Sequence, residues 1–193
     1  MKILLKLYAI LLLSTLVIIA PSCNRESPET NNMKDAEQRN DQKFVKPTET
    51  DAKYVVDAYA DGMAEIKMAE RLKDRLVTTD AKNLANTMIT DHAAMNDKMR
   101  ALASSKQISL PTDLTSGQQD DIEDLAKKSG IDLDKAFVNK LVDDHKNAED
   151  LFQKASTEAS DSDIRNAFAD ELPKIRTHLE LAKDTRDKLN AGK

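Results

Sequence analysis

The three histidines of this 193-residue chain are the residues whose type and setting could do chemistry. Two of them end a repeated pattern in which two apolar residues and one further residue precede Asp-His: "MITDH" ends at His92 and "LVDDH" ends at His145. The third, His178, lies in "LPKIRTHLEL". Imidazole can ligate a transition metal or hydrogen-bond a buried carboxylate, so the pattern favours one of these two arrangements.

The elements that must position these histidines are helices. Apolar residues recur at alternating steps of three and four, which predicts four long helices. They cover about residues 51–77, 80–104, 133–159 and 162–190. Four polar residues capable of ligation occupy core-facing positions, one per helix, and these are Glu65, His92, His145 and His178. Measured from the predicted turn of each hairpin, the two residues of a pair differ in height by less than about one helical turn. Both pairs fall near the middle of the bundle, so all four are expected to share one layer.

One interpretation of this layer is a metal site of three imidazoles and one carboxylate. Such a donor set suits a single transition metal, with Zn, Fe or Cu as the candidates. Asp91 and Asp144, each preceding a histidine, are predicted to accept the outer N–H groups of the imidazoles. Glu149, one turn after His145, is a further candidate ligand.

The alternative is a buried polar layer without metal, in which Glu65 pairs with histidines and fixes the register of the helices. The chain would then be a structural or partner-binding protein. A metal-dependent oxidoreductase is a third reading, but no nucleophile, phosphate loop or cofactor motif accompanies the histidines. We therefore expect a binding protein rather than an enzyme.

Two segments modify the four-helix pattern. The stretch "GQQDDIEDLAKKSG" predicts a short extra helix between the second and third long helices, capped by Thr115 or Ser116. Pro173 predicts a kink or a break in the fourth helix. Glu171, also in the fourth stripe, lies two turns from His178, too far for a shared metal. It is expected either to end a salt bridge or to face a hydrated part of the core.

The residues before the helices predict export and a membrane anchor. Residues 1–22 have two lysines followed by an apolar run, as a signal peptide does. The sequence "IAPSC" resembles the lipobox of bacterial lipoproteins, which implies a lipid on Cys23; Asn24 then favours the outer over the inner membrane. Residues 23–49 are polar and predict a disordered tether, leaving residues 50–193 as one helical domain.

Charge excludes one class of partner. Without residues 1–22 the chain has 27 basic and 34 acidic residues, a net charge of −7. No basic patch is present in the sequence, so nucleic acid is not expected as a partner, and the lipid anchor makes the membrane the predicted one.

Several segments together resemble a known bacterial family. They are "YADGMAEIKMAE", "MITDH", "LPTDL", "FVNKLVDDHKNAEDLF" and "LPKIRTHLELAK", in this order over nearly all of residues 50–190. The family comprises outer-membrane or exported proteins of unknown function with a ferritin-like domain. The resemblance implies an all-α, ferritin-like four-helix bundle whose long second connection crosses the bundle, with Glu65, His92, His145 and His178 as its characteristic residues.

The resemblance does not extend to di-iron chemistry. Di-iron carboxylate bundles place a glutamate three residues before a histidine on two of their helices. The residues at that spacing here are Ile89, Val142 and Ile175. Ferroxidase and oxygenase activities are therefore not expected.

Overall fold

The computed structural model describes residues 28–46 and 48–191, and within these ranges all regular structure is helical. The helices are α1 (Pro28–Asp41), α2 (Thr48–Leu72), α3 (Thr79–Ser105), α4 (Ser116–Ala126), α5 (Gly130–Glu158) and α6 (Ser162–Ala191), with a 3₁₀ turn at Lys73–Arg75. No helix in this part of the chain is long and apolar enough to cross a membrane. The predicted signal peptide, Cys23 and Asn24 lie outside the described residues.

The four long helices form two antiparallel hairpins, α2 with α3 and α5 with α6. Asp134 near the start of α5 bonds to the turn between α2 and α3, and Asp51 near the start of α2 bonds to the turn between α5 and α6. Helix α5 therefore begins where α2 ends. Because α3 and α5 then run in the same direction, the connection that contains α4 passes along the whole length of the hairpins.

Helix α4 lies in this connection, as the sequence predicts. Thr115 is its N-cap and forms a capping box with Gln118, in which each side chain bonds to the other residue's backbone N–H. Helix α4 packs on α2 and α5, and Ile122 and Leu125 are its buried residues. The connection therefore covers the groove between α2 and α5.

Helix α6 runs without a break through Pro173. Of the two predicted alternatives, a kink or a break, the break is therefore wrong. Proline removes one backbone hydrogen bond from a helix interior, but Leu172 and Ile175 on either side of it are buried in the core. Packing of the flanking turns holds the helix together at this position.

Helix α1 forms within the segment for which composition predicts a disordered tether. Ala36 is fully buried against the rest of the protein, and Met33 packs against the adjacent hydrophobic cluster. The Asn40 side chain both donates to the carbonyl of Ser109 at 3.0 Å and accepts from its N–H at 2.8 Å. The composition of this segment does not favour an ordered structure, but these tertiary contacts stabilise one. The folded unit therefore begins before residue 50.

The core consists of two hydrophobic clusters. The lower cluster gathers the α2–α3 turn and the start of α5, with Leu72, Leu84 and Phe137 among its buried residues. The upper cluster gathers the α5–α6 turn and the start of α2, with Val55, Phe152 and Phe168. On each long helix a single buried residue between the two clusters is polar, and these four residues are Glu65, His92, His145 and His178.

Candidate metal centre

The four residues between the clusters, called here the polar layer, come one from each long helix. Glu65 is 5% exposed, His92 3%, His145 0% and His178 2%. The helical spacing predicts that they face inward at one height, and the structure brings all four together. Burying four polar side chains costs stability unless each finds a partner, so their mutual contacts decide what the layer can do.

The three imidazoles are mutual neighbours. Their ring centroids lie 5.2–5.4 Å apart, and one ligating nitrogen from each ring lies within 4.8 Å of the other two. His92 Nε2 and His145 Nε2 are 3.4 Å apart. The carboxylate of Glu65 joins them, with Oε2 3.1 Å from His92 Nε2 and Oε1 3.6 Å from His145 Nδ1.

Two of the imidazoles have one nitrogen occupied by an outer acceptor. His145 Nδ1 lies 2.9 Å from the carbonyl oxygen of Leu141, and His178 Nε2 lies 2.9 Å from Asp91 Oδ2. A carbonyl or carboxylate oxygen can only accept, so the proton of each neutral ring lies on that nitrogen. The lone pair of His178 Nδ1 is unpaired, and that of His145 Nε2 faces His92 Nε2 at 3.4 Å. The predicted role of Asp91 as an outer acceptor therefore has a matching contact.

The layer contains buried atoms that no protein group satisfies. Within the described residues, Glu65 Oε2, His92 Nδ1 and His178 Nδ1 have no hydrogen-bond partner. His92 Nε2 lies 3.1 Å from Glu65 Oε2, but its hydrogen-bond contact is with His145 Nε2. Glu65 Oε2 therefore accepts no hydrogen bond from it. A polar layer that only sets helix register is stabilising when its members are fully paired. This layer instead leaves three of its four residues with an unpaired buried atom.

The charges in the layer favour an anionic glutamate. Burial raises the pKa of Glu65, but the three imidazoles outweigh it, and the pKa is lowered. Burial lowers the pKa of His92, but the carboxylates of Glu65 and Asp91 outweigh it, and the pKa is raised. For His145 and His178 burial prevails and the pKa is lowered. Without a metal, Glu65 and His92 therefore form a buried charged pair beside two neutral imidazoles.

The donor set fits one transition metal ion. Metal–nitrogen distances of about 2.0–2.1 Å at tetrahedral angles place two ligand atoms about 3.3–3.4 Å apart. His92 Nε2 and His145 Nε2 have this separation, and Glu65 Oε2 is 3.1 Å from His92 Nε2. Nitrogen and oxygen donors in this ratio suit Zn, Fe or Cu.

Two other predicted site residues lie outside the layer. Asp144 points away from the imidazoles and pairs with Lys140 at 2.7 Å. Glu149 pairs with Arg176 at 2.8 Å and is partly exposed. Glu171, in contrast, is confirmed as a salt-bridge residue, since it pairs with Lys98.

A cavity of about 120 Å³ adjoins the layer on the side of α4. Glu65 lines it, together with the charged residues Asp61, Asp121, Lys140 and Asp144 of α2, α4 and α5. Its other lining residues are uncharged and include Ala64, Met68 and Ile122. Burial, together with the charges of Glu65 and Asp121, raises the pKa of Asp144 to about 6 although Lys140 opposes it. Sequence reasoning misses this cavity, although the spacing of four residues in Asp61–Glu65 and Lys140–Asp144 was an available signal.

Comparison with known proteins gives a family but no function. Among curated proteins and among solved structures, no match to the chain is found. A family model described as a domain of unknown function, DUF4142, matches residues 35–185. The match begins inside α1, ends inside α6 and includes all four residues of the polar layer. The chain therefore belongs to the DUF4142 family.

Proposed function

We propose that this protein binds one transition metal ion, Zn, Fe or Cu, through Glu65, His92, His145 and His178. The observation that carries the proposal is the convergence of three buried imidazoles, with the buried carboxylate of Glu65 3.1 Å from His92. Three of these four residues keep an atom without a hydrogen-bond partner in the described part of the protein. An ion would supply a positive charge that neutralises Glu65 and would take up the free lone pairs. Such a site requires deprotonated ligands: His145 and His178, whose pKa values are lowered, meet that requirement, and His92 would release its proton when the ion binds.

The proposed activity is binding rather than catalysis. The contacts of Leu141 and Asp91 hold two imidazoles in fixed orientations, which is what metal-ligating histidines require of their surroundings. Within the described part of the layer Glu65 is the one carboxylate, so the bridging carboxylates of a di-iron site are missing. We infer a single ion and no oxygenase chemistry.

The proposed architecture is a ferritin-like four-helix bundle. Two features support it: the pairing of α2 with α3 and of α5 with α6, and a connection between the hairpins that passes along their whole length. Metal sites in such bundles are built from inward side chains on facing helices. The polar layer is placed in the same way.

We further propose that the protein is a lipoprotein of the cell envelope, held at the outer membrane by an acyl chain on Cys23. Support comes from the apolar leader, the "IAPSC" sequence and the polar segment that follows. A Cys23→Ala variant is expected to leave the membrane fraction for the soluble fraction of the cell. Unchanged membrane association in that variant would refute the lipid anchor.

Metal content tests the binding proposal. The full chain, purified in detergent without a histidine tag, is expected to contain about one transition metal ion per chain by mass spectrometry. Glu65→Gln and His145→Ala are expected to lower this content severalfold or abolish it. Glu171→Gln is the matched control, because Glu171 is an equally buried glutamate that pairs with Lys98 outside the layer.

A structural role is the second candidate, and the Glu65–His92 pair favours it. Their separation of 3.1 Å and their opposite pKa shifts describe a buried ion pair that could fix helix register without metal. On that reading the wild-type protein contains no metal and chelators leave its melting temperature unchanged. That pair of results would overturn the metal proposal in favour of the structural one.

A further inference from the structure

The cavity beside the layer offers a path from solvent to a site that is otherwise closed. Each of the four layer residues is at most 5% exposed, so an ion could not reach them through the packed core. Glu65 belongs both to the layer and to the cavity wall. Its Oε2 accepts no hydrogen bond within the described residues and lies 3.1 Å from His92 Nε2, so the carboxylate that lines the cavity also borders the imidazoles.

The charge of the cavity suits a divalent cation. Its lining has four carboxylates, those of Asp61, Glu65, Asp121 and Asp144. Among the described residues that line it, Lys140 is the one with a positive charge. A cleft with low-dielectric walls and one predominant sign of charge concentrates counter-ions and raises their rate of association.

Lys140 lies where it can control the path. Its ammonium is 2.7 Å from Asp144 on the same helix and 3.3 Å from Asp121 on α4, so it links the covering helix to α5. Its side chain is one-third exposed and lines the same cavity as the buried Glu65. A cation that enters this cavity therefore meets the positive charge of Lys140.

We propose that the cavity lined by Asp61, Asp121 and Asp144 is the route by which a divalent metal ion reaches the polar layer, with Lys140 as its gate. This inference rests on the proposed function, since a route requires a site at its end. The cavity residues would then determine how fast metal is taken up, whereas the layer residues would determine how much metal is bound at equilibrium.

The experiment measures the rate of cobalt uptake. The full chain in detergent is freed of metal with a chelator and mixed rapidly with Co²⁺ at low ionic strength, and the visible absorption of bound cobalt is followed. Lys140→Gln is expected to bind cobalt about 3–10-fold faster than the wild type, because the positive charge at the mouth is removed. Lys146→Gln is the matched control: Lys146 is on the same helix, pairs with Asp143 and lies outside the cavity.

A second variant tests the path by placing a larger side chain in the cavity. Ala64 lines the cavity and is partly buried, so Ala64→Leu is expected to narrow the path and slow uptake at least about fivefold. Both variants should bind as much cobalt at equilibrium as the wild type. If Lys140→Gln and Lys146→Gln take up cobalt at the same rate, the gate is refuted, and if Ala64→Leu also leaves the rate unchanged, so is the route. A wild-type chain that binds no cobalt at equilibrium would instead refute the proposed function itself.

Discussion

At the scale of single residues, the outer hydrogen bonds of the histidines determine which nitrogen faces the layer. His145 is held through Nδ1 by a carbonyl oxygen of its own helix, whereas His178 is held through Nε2 by a carboxylate of α3. The two rings therefore offer opposite nitrogens to the centre. Each contact fixes the tautomer, so both rings are oriented for ligation before any ion arrives.

His178 should make the stability of the metal-free protein depend on pH. Burial lowers its pKa, the hydrogen bond to Asp91 raises it, and the nearby His92 and His145 lower it, with a net decrease. The unfolded chain then binds a proton at a higher pH than the folded one. The stability that neutral His178 contributes is present above the unfolded pKa of about 6.5 and is lost as the pH falls below it.

The measurement compares chemical denaturation of the wild type with that of His178→Gln in the presence of a chelator, from pH 7.5 to pH 5. Titrating groups away from the layer contribute to both proteins in a similar way, so the difference between the two free energies of unfolding reports on His178 and the groups coupled to it, chiefly Asp91. The wild type is expected to lose stability relative to the variant on acidification. A difference that stays constant over this range would show that the folded and unfolded pKa values are equal.

At the scale of elements, each hairpin turn is held by an aspartate from the other hairpin. Asp134 of α5 accepts bonds from the N–H groups of Val77 and Thr78, at 2.9 and 2.8 Å. Asp51 of α2 accepts bonds from the N–H groups of Ser160 and Asp161, at 2.9 and 2.7 Å. These pairs fix the relative height of the hairpins, and that height brings Glu65 level with the histidines.

Asp134→Asn is expected to destabilise the protein by about 1–3 kcal/mol, because one acceptor oxygen becomes an amide donor that faces the buried N–H groups of the turn. Asp132→Asn is the control, since Asp132 is exposed in the same first turn of α5. Its cost should be below about 1 kcal/mol, the value of a charge near a helix N-terminus. Equal midpoints for the two variants in urea would argue against a clamp at Asp134.

The close packing of α2 on α3 depends on Gly62. A Cβ atom built at this position would lie 2.4 Å from Oδ1 of Asn96, which is buried and donates a hydrogen bond to the carbonyl of Tyr59. Alanine favours a helix by about 1 kcal/mol over glycine, but here Asn96 would have to move and give up its bond. We expect Gly62→Ala to destabilise the protein by about 1–2 kcal/mol net.

Gly117→Ala makes the same change in α4, where a Cβ would meet nothing within 4 Å. It is expected to stabilise the protein by about 0.5–1 kcal/mol. Thermal melts of the two variants should therefore shift in opposite directions. A shift of Gly62→Ala toward higher temperature would mean that Asn96 adapts without loss.

The sequence predicts the layer but not its surroundings, for a geometric reason. A period of 3.6 residues places one polar side chain of each helix on the core face, and the distance to the turns gives its height. Asp91 and Asp144 each precede a histidine and therefore point about 100° away from it around the helix. The side chains that surround these two aspartates are different. Asp91 meets His178 and Lys174 of α6, whereas Asp144 meets Lys140 and the cavity under α4. The path of α4, which sequence periodicity does not determine, makes this difference.

Long-range contacts also explain the elements that the sequence does not predict. Helix α1 is held by hydrogen bonds between Asn40 and Ser109, which are 69 residues apart in the sequence. No local sequence pattern predicts these bonds. Asp51 bonds to Ser160, which lies 109 residues later in the chain, and Asp134 bonds to Val77, which belongs to the other hairpin. Composition and periodicity report on local preferences, so they find the long helices and miss the contacts that hold the helices together.

At the scale of the whole molecule, the polar layer is the one level at which all four long helices contribute a residue between the two hydrophobic clusters of the described core. A metal ion bound there would connect both hairpins at mid-height. Unfolding either hairpin would then remove ligands from the ion, so metal binding should stabilise the whole fold and keep its unfolding cooperative.

Zinc should therefore raise the melting temperature of the chelator-treated protein. Binding that is restricted to the folded state adds about 2.7 kcal/mol when free zinc is at 100 times the dissociation constant. For a domain of this size that corresponds to an increase of about 5–10 °C in a calorimetric melt. The increase should vanish in His92→Gln, which removes a ligand, and persist in Glu171→Gln, whose side chain pairs with Lys98. If zinc left the wild-type melt unchanged, or stabilised His92→Gln equally, the ion would not be bound by the layer.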